Sequence, residues 1–392
     1  MPTEPSGATI TELRSAQHVY SRPRWNRTLV KIETDAGVAG YGEIGANGDT
    51  VAGQLAQMEP LLVGEDPVEV TKLYDRMIGQ QHSHRPHFPT VSGVDIALWD
   101  LAGKLLDRPV SSLIAGRLRD AVPFYVNRSP KDLLDPDSCR AWATDLTAGP
   151  DAPTAVKLTF DPVIDANLTA QGDAVINREN PTLTKRQLEP VREAAQNIRD
   201  ALGWDLDYIA HCHNEWDRPT AINIAEAVAP TEPIWLEDPL PIHYSDTWRD
   251  VTRDAPVRIL TGEKLEGVRE FEPFILNGGV DVVQPDLVFA GGITGCRRIG
   301  QLADRHHVPM TAHNTGGLVQ NAATVHFAAS QPNFWITETK YPVADWIPEM
   351  GDAPGLGVED GALTVPDGPG LGVTLDPDVI AEMTGEPDFV EA

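Results

Sequence analysis

The chain has 392 residues and carries 58 acidic against 31 basic side chains, which gives a formal net charge of −27 at pH 7. A surface of this charge repels nucleic acids and anionic membranes, so neither is an expected partner. The length exceeds what one ordinary hydrophobic core accommodates, and we therefore expect two structural units.

The acidic residues are spread along the whole chain, and most of the basic residues are Arg. High salt screens the self-repulsion of such a surface, so the composition predicts a protein from a halophile.

Cellular location follows from the cysteines and the N-terminus. Cys139, Cys212 and Cys296 are odd in number and lack metal-type spacing, so no disulfide framework is expected. The N-terminus has neither a basic region nor an apolar core, and no apolar stretch approaches the roughly 18 residues of a membrane span. We therefore expect a soluble cytoplasmic protein.

Residues 1–120 are predicted to form an α+β domain. The segment "TLVKIETDAGVAGYGE" indicates a strand, a turn at 35–37 and a second strand. From about residue 50 to 116 the pattern becomes helical; Val94, Leu98 and Leu101, for example, recur at helical spacing. Strands followed by helices are typical of an α+β domain.

Alternating strands and helices are predicted for residues 121–350. The segments "AVPFYVN" and "PTAVKLTF" would be the first two barrel strands, and a helix is predicted over 187–202. The polar stretch 161–188 is long for a loop and would cover the catalytic face or contact another subunit. The Gly- and Pro-rich segment 351–392 is expected to pack back on the N-terminal domain.

Reactive side chains end successive predicted strands at nearly constant spacing. These side chains are His211, Glu237, Glu263, Asp286, His313 and Glu338, at intervals of 26, 26, 23, 27 and 25 residues. A strand, a helix and their loops need about 25 to 30 residues, so the spacing predicts a βα-barrel with these side chains at its catalytic face.

Glu237 and Glu263 lie on neighbouring strands and can converge on one hard cation such as Mg²⁺ or Mn²⁺. The alternative for each is an exposed acid in an acid-rich protein. His211 and His213 precede them, and because alternate residues share a strand face, both rings are expected to point into the barrel mouth.

Asp286 and His313 lie one barrel unit apart and can form a carboxylate–imidazole base. Glu338 on the next strand could hydrogen-bond a substrate oxygen if burial keeps it protonated, or it could be a surface acid. Lys157 on the second strand could contact substrate or extend to water at the rim.

Several segments of the chain occur in the order typical of one family. They are "LVKIETDAGVAGYGE", "SGVDIALWDLAGKLLDRPVSSLIAG", "WLEDP", "TGEKL", "QPDLVFAGGIT", "AHNTGGLVQNA" and "PGLGV". The chain resembles the enolase superfamily in its mandelate racemase branch, especially the acid-sugar dehydratases. The resemblance implies a modified (β/α)₇β barrel with an N-terminal α+β capping domain. It also implies Mg²⁺ at Glu237 and Glu263, a base dyad of Asp286 and His313, and an enolate-supporting acid at Glu338.

His213 falls where the dehydratases keep the His that protonates the departing hydroxyl. His211 departs from the family pattern, which has Asp or Glu as the first metal ligand. Mn²⁺ or Fe²⁺ could be preferred for this reason, or Glu215 could supply the missing carboxylate from the same strand face. Lys157, Glu215 and Asn314 are the candidate substrate contacts.

A racemase of this branch would carry a second Lys at the end of the second strand, where this chain has Thr159. The resemblance therefore predicts metal-dependent dehydration of an aldonic acid to a 2-keto-3-deoxy acid by a homo-oligomer that binds small acid sugars. The alternatives are a racemase or epimerase of the same branch, or a non-catalytic relative that binds a sugar acid.

Overall fold

The structure is a computed structural model that describes residues 6–18, 27–79, 86–149, 152–160, 163–164, 182–342, 344 and 346–390. Most of the polar stretch 161–188, with its predicted covering role, lies outside the described residues. Within the described ranges, no helix combines the length and apolarity that crossing a bilayer requires.

The N-terminal domain pairs an antiparallel sheet with helices. The strands are β1 (Ile10–His18), β2 (Arg27–Thr34) and β3 (Ala39–Ile44), in that order across the sheet. The helices that follow are α1 (Gly48–Leu62), α2 (Val70–Gly79), α3 (Phe88–Leu105) and α4 (Val110–Ile114). The α+β expectation for this part of the chain is thus confirmed.

Glycines allow α3 to lie directly against the sheet. A Cβ on Gly42 of β3 would stand 1.9 Å from the carbonyl oxygen of Gly93 in α3, and a Cβ on Gly93 would stand 2.1 Å from Ile44 Cγ1. Neither position has room for a side chain. The backbones of sheet and helix therefore pack in contact.

Parallel strands of the described chain close into a barrel. They are β4 (Ala121–Asn127), β5 (Ala155–Thr159), β6 (Asp207–His211), β7 (Leu236–Glu237), β8 (Ile259–Thr261), β9 (Val282–Val283), β10 (Met310–Ala312) and β11 (Phe334–Glu338). The last strand pairs with the first through Thr337 with Phe124 and Glu338 with Tyr125.

An α-helix lies between each barrel strand and the next. These helices are α5 (Pro136–Leu146), α6 (Lys185–Leu202), α7 (Arg218–Val228), α8 (Asp246–Asp254), α9 (Gly267–Leu276), α10 (Gly292–Arg305) and α11 (Leu318–Ser330). These strands and the α-helices between them form a (β/α)₇β barrel, as the family resemblance implies.

The C-terminal segment contacts both domains. It contains α12 (Trp346–Glu349), β12 (Gly351–Asp352), β13 (Val358–Glu359), β14 (Ala362–Thr364), β15 (Thr374–Leu375) and α13 (Pro377–Thr384). Strand β14 pairs antiparallel with β4 of the barrel. Arg14 of β1 donates to the carbonyl oxygen of Asp388 at 2.9 Å, so the segment also reaches the N-terminal domain.

Apolar side chains fill the barrel below its polar strand ends. They form a buried cluster separate from the main core and consist of Tyr125, Ala155, Ile209, Ile234, Trp235, Leu260, Val282 and Ile336. The barrel interior is thus a packed apolar layer, and the polar side chains at the strand ends lie directly above it.

Candidate active site

The structure places the six spaced side chains at the C-terminal ends of their strands. His211, Glu237 and Glu338 are the last residues of β6, β7 and β11. Glu263, Asp286 and His313 follow β8, β9 and β10 within a few residues. All six therefore lie at one mouth of the barrel.

His211, Glu237 and Glu263 form a candidate metal site, because one ligand atom from each lies within 4.8 Å of the others. His211 Nδ1 stands 2.7 Å from Glu237 Oε1, yet within the described part of the chain neither ring nitrogen of this buried His makes a hydrogen bond. Short contacts without hydrogen-bond geometry are expected between ligands aimed at a common cation. An imidazole with two carboxylates is a donor set that fits a divalent metal ion.

Glu215 does not join this group. Strand β6 ends at His211, and Asn214 has a left-handed backbone with φ of 64°. The alternation of faces stops there, so the expectation that Glu215 shares the strand face of His211 is wrong. Among the described residues, the group able to hold a metal consists of His211, Glu237 and Glu263.

His213 also lies beyond the end of β6, but its ring stays near the metal group. The ring centroids of His211 and His213 are 4.1 Å apart, with their planes inclined by 53°. His213 is half-buried, whereas His211 is buried. Both rings therefore lie at the barrel mouth, and the more exposed one is His213.

Lys157 lies inside the barrel and bridges two carboxylates. Its ammonium donates to Glu237 Oε1 at 2.9 Å and to Glu338 Oε2 at 2.8 Å, and the lysine side chain is 1% exposed. Burial alone would lower the pKa of Lys157, but Glu237 and Glu338 outweigh it and raise that pKa. Burial would likewise raise the pKa of Glu237, but Lys157 and His211 hold it well below its usual value.

The second oxygen of Glu237 is fixed from below. Glu237 Oε2 accepts hydrogen bonds from Trp235 Nε1 and from Gln284 Nε2, each at 3.2 Å. The Gln284 amide also donates to the hydroxyl of Tyr125 at 2.6 Å. These hydrogen bonds hold the carboxylate in one orientation.

Asp286 and His313 form the predicted pair. Asp286 Oδ2 lies 2.6 Å from His313 Nδ1, and Asp286 Oδ1 accepts from Gln320 Nε2 at 2.8 Å. Because an ionised carboxylate only accepts, His313 carries a hydrogen on Nδ1 and directs Nε2 toward the barrel mouth.

Carboxylates surround the free nitrogen of His313. His313 Nε2 lies 3.4 Å from Glu263 Oε2 and 3.8 Å from Glu338 Oε2. Burial would lower the pKa of His313, but these acids and Asp286 outweigh it and raise the pKa to about 9. The imidazole ring is therefore protonated near neutral pH unless another positive charge offsets the negative charge of these carboxylates.

Lys264 and Asp238 are site residues that sequence reasoning missed. Lys264 Nζ lies 2.6 Å from Glu263 Oε1 and donates to Asn214 Oδ1 at 2.7 Å. Asp238 accepts from Thr261 Oγ1 at 2.5 Å and faces Lys264 at 3.4 Å. Asp238 and Lys264 each directly follow a predicted metal ligand in the sequence. That adjacency was the feature from which they could have been predicted.

Asn314 has its amide engaged within the protein. Its Nδ2 donates to Asn321 Oδ1 at 2.9 Å, and its Oδ1 accepts from Gly316 N at 3.1 Å. The side chain shapes the loop after β10, and its role as a substrate contact stays a prediction.

Comparisons with known proteins agree with this fold. Residues 154–379 match the model for enolase C-terminal domain-like proteins, and residues 16–115 match that for the mandelate racemase / muconate lactonizing enzyme N-terminal domain. A D-xylonate dehydratase of Haloferax volcanii is 30% identical, over 96% of this chain and 90% of that protein. A D-gluconate dehydratase of Thermoproteus tenax is 29% identical, over 92% of this chain and 70% of that protein. A D-mannonate dehydratase of Sphingomonas sp. is also 29% identical, over 89% of this chain and 93% of that protein.

Solved structures have the same architecture. A mandelate racemase/muconate lactonizing enzyme from Sulfitobacter sp. superposes with a TM-score of 0.85 at 27% identity, covering 96% of each chain. A related protein from Rubrobacter xylanophilus gives 0.85 at 26% identity, covering 96% of this chain and 98% of that one. The chain therefore belongs to the mandelate racemase / muconate lactonizing enzyme family of the enolase superfamily, and it is a dehydratase of that family.

Proposed function

We propose that the protein dehydrates an aldonic acid to a 2-keto-3-deoxy sugar acid through an enediolate, with a divalent metal ion as cofactor. The observation that carries the proposal is the position of His313. Its Nδ1 is held by Asp286 at 2.6 Å, while its Nε2 lies 3.4 Å from the candidate ligand Glu263. A base beside a metal group is the arrangement that proton abstraction next to a carboxylate requires.

His211, Glu237 and Glu263 would hold the metal ion. When bound, a divalent cation supplies positive charge that stabilises the substrate carboxylate and its enediolate and offsets the acids around His313. Mg²⁺ is the family's expected ion, while the imidazole of His211 favours Mn²⁺ or Fe²⁺.

Different residues of the chain would carry out the successive proton transfers. His313 Nε2 takes the proton from C2, and Asp286 keeps the ring in the tautomer that can accept it. The C3 hydroxyl leaves as water with a proton from His213 or from His313. The resulting enol gains a proton at C3 and loses the proton of its C2 hydroxyl, which gives the ketone, so no external oxidant or reductant is needed.

Glu338 would support the developing enediolate. Its Oε2 accepts from Lys157, while its buried Oε1 makes no hydrogen bond with any residue in the described ranges. An unpartnered buried oxygen costs free energy unless a ligand group satisfies it. The expected partner is a substrate hydroxyl while Glu338 is ionised, or an enediolate oxygen when Glu338 carries the proton. Lys157 and Glu215 stay proposed substrate contacts.

The names of the relatives support an acid sugar as the substrate. Those relatives are named as dehydratases of D-xylonate, D-gluconate and D-mannonate. A racemase is less well supported because β5 ends at Thr159 and offers no second amine there. The proposal also includes a cytoplasmic homo-oligomer, which rests on the family resemblance and which light scattering and cell fractionation test.

The test is incubation of the metal-loaded protein with xylonate, gluconate, mannonate, galactonate and arabinonate, followed by an assay for 2-keto-3-deoxy acids. Product from at least one is expected, and His313→Asn should abolish turnover while metal binding persists. Deuterium exchange at C2 without loss of water would instead indicate a racemase. A folded protein that is inactive on the whole panel would refute the proposal.

A further inference from the structure

One glutamine connects the capping domain to the base dyad. Gln320 lies in the first turn of α11 and is fully buried, and its amide donates to Asp286 Oδ1 at 2.8 Å. Its amide oxygen accepts from Arg27 Nη1 at 3.0 Å. Arg27 is the first residue of β2 in the capping domain and also donates to Thr315 Oγ1 at 2.7 Å.

The orientation of this amide is set by what its neighbours can do. A guanidinium only donates hydrogen bonds, and an ionised carboxylate only accepts them. Arg27 must therefore face the oxygen of the Gln320 amide, and Asp286 must face its NH₂ group. With the opposite orientation, the amide would present a donor to a donor and an acceptor to an acceptor.

A second capping-domain residue fixes the helix that carries Gln320. Glu43 of β3 is fully buried and accepts from Gly317 N at 2.7 Å and from Gln320 N at 3.2 Å. Gly317 is the N-cap of α11 and has no side chain to accept these bonds. A carboxylate at a helix N-terminus is favoured by the unpaired N–H groups and the helix dipole.

We propose that Gln320 is a positioning residue for the Asp286–His313 pair, and that Arg27 and Glu43 make its orientation depend on the docked capping domain. The capping domain would thus orient the base as well as cover the substrate. The inference rests on the proposed function only in that His313 is the base.

Losing an outer hydrogen-bond partner of a metal ligand typically costs about 10- to 100-fold in metal affinity or activity, and we expect a similar range for the partner of Asp286. We therefore expect Gln320→Met, which keeps the length but removes the amide, to lower kcat by about 10- to 100-fold. KM should change by less than about twofold because Gln320 orients the base and does not touch the substrate. Arg27→Met should give a smaller loss, and Arg27→Lys should restore part of it because an ammonium still donates to the amide oxygen.

The matched control is Ser330→Ala. Ser330 is buried on the same helix and also bonds the capping domain, through the carbonyl oxygen of Ser111 at 3.0 Å, but it lies at the opposite end of α11 from Gln320. A loss of activity caused only by weakened domain docking would appear in this variant too. We expect its kcat to match that of the wild type.

A proton NMR measurement separates positioning from general stability. The Nδ1 proton shared by His313 and Asp286 should give a downfield resonance that disappears in His313→Asn. In Gln320→Met this resonance should shift or broaden, and in Ser330→Ala it should not change. An unchanged resonance or an unchanged kcat in Gln320→Met would overturn the inference.

The two proposals fail in different ways. Inactivity of the wild type on every aldonate refutes the proposed function, while the NMR comparison still decides the role of Gln320. If Gln320→Met does not fold, Arg27→Met and Arg27→Lys carry the same test with α11 unaltered.

Discussion

Replacing Lys157 with Met should destabilise the metal-free protein strongly. The ammonium bonds Glu237 at 2.9 Å and Glu338 at 2.8 Å, and all three side chains are at most 1% exposed. Removing one partner of a buried ion pair costs about 3–5 kcal/mol because it leaves uncompensated charge in the interior. For a domain of barrel size, that cost corresponds to a fall in Tm of roughly 6–20 °C.

The assay is thermal unfolding in a chelator, followed by titration with Mn²⁺. The metal should raise the Tm of Lys157→Met more than that of the wild type, because the ammonium no longer competes for Glu237 Oε1 and the bound cation replaces its charge. Adding Glu338→Gln to the variant should recover part of the loss.

Lys264→Met is the matched control, since Lys264 also contacts a candidate ligand but its side chain is 40% exposed. Exposed pairs contribute about 0–1 kcal/mol, so its Tm should fall by a few degrees at most. A Tm for Lys157→Met within about 2 °C of the wild type would refute the reasoning.

Three further predictions concern pH, metal choice and salt. His326 accepts from Ser111 N and bonds the carbonyl oxygen of Leu371, each at 3.2 Å, and burial lowers its pKa from 6.5 to about 4. The unfolded chain takes up that proton at a higher pH than the folded protein does, so about 3 kcal/mol of the stability present above pH 6.5 should be lost as the pH falls to 4. Urea unfolding should show a smaller loss in His326→Gln. His211→Asp should raise the affinity for Mg²⁺ relative to Mn²⁺ by roughly tenfold, and calorimetry that shows no change of preference would contradict the ligand assignment. With a net charge of −27, the Tm should rise with added KCl, and a Tm that is flat or falls with salt would contradict adaptation to high salt.

The barrel and its strand ends could be predicted from the sequence because a closed parallel sheet repeats one unit. That repeat fixes where each strand ends, so Glu237 and His313 could be located from spacing alone. Segment "AVPFYVN" matches β4 (Ala121–Asn127), and the helix predicted over 187–202 is α6 (Lys185–Leu202). Local periodicity carries this information, and no knowledge of distant contacts is needed.

The expectation that Glu215 shares a strand face with His211 failed because alternation was counted past the end of a strand. The rule that alternate residues share a face holds only for extended backbone, and Asn214 leaves that conformation with φ of 64°. Asn is among the residues that adopt positive φ most readily, so the Asn in "HCHNE" did indicate that the strand could end there.

Partners that lie far apart in sequence could not be predicted. Lys157 was expected either at the rim or against substrate, and its pairing with Glu338 joins residues 181 positions apart. Glu43 and Gln320 are 277 positions apart and carry no local signal of their contact. Sequence spacing predicts which side of a strand a side chain lies on. The residue that it contacts there depends on the closed barrel and the docked capping domain.

The contact between β3 and α11 has a consequence for synthesis of the protein. Glu43 leaves the ribosome 277 residues before the Gln320 backbone amide that it binds. At about 5–20 residues per second, the capping domain waits roughly 14–55 s for this partner. During that interval the Glu43 carboxylate lacks the α11 backbone amides that it binds in the folded protein. The last barrel strand, which carries Glu338, emerges later still, so the nascent chain has no complete active site until nearly all of it has been made.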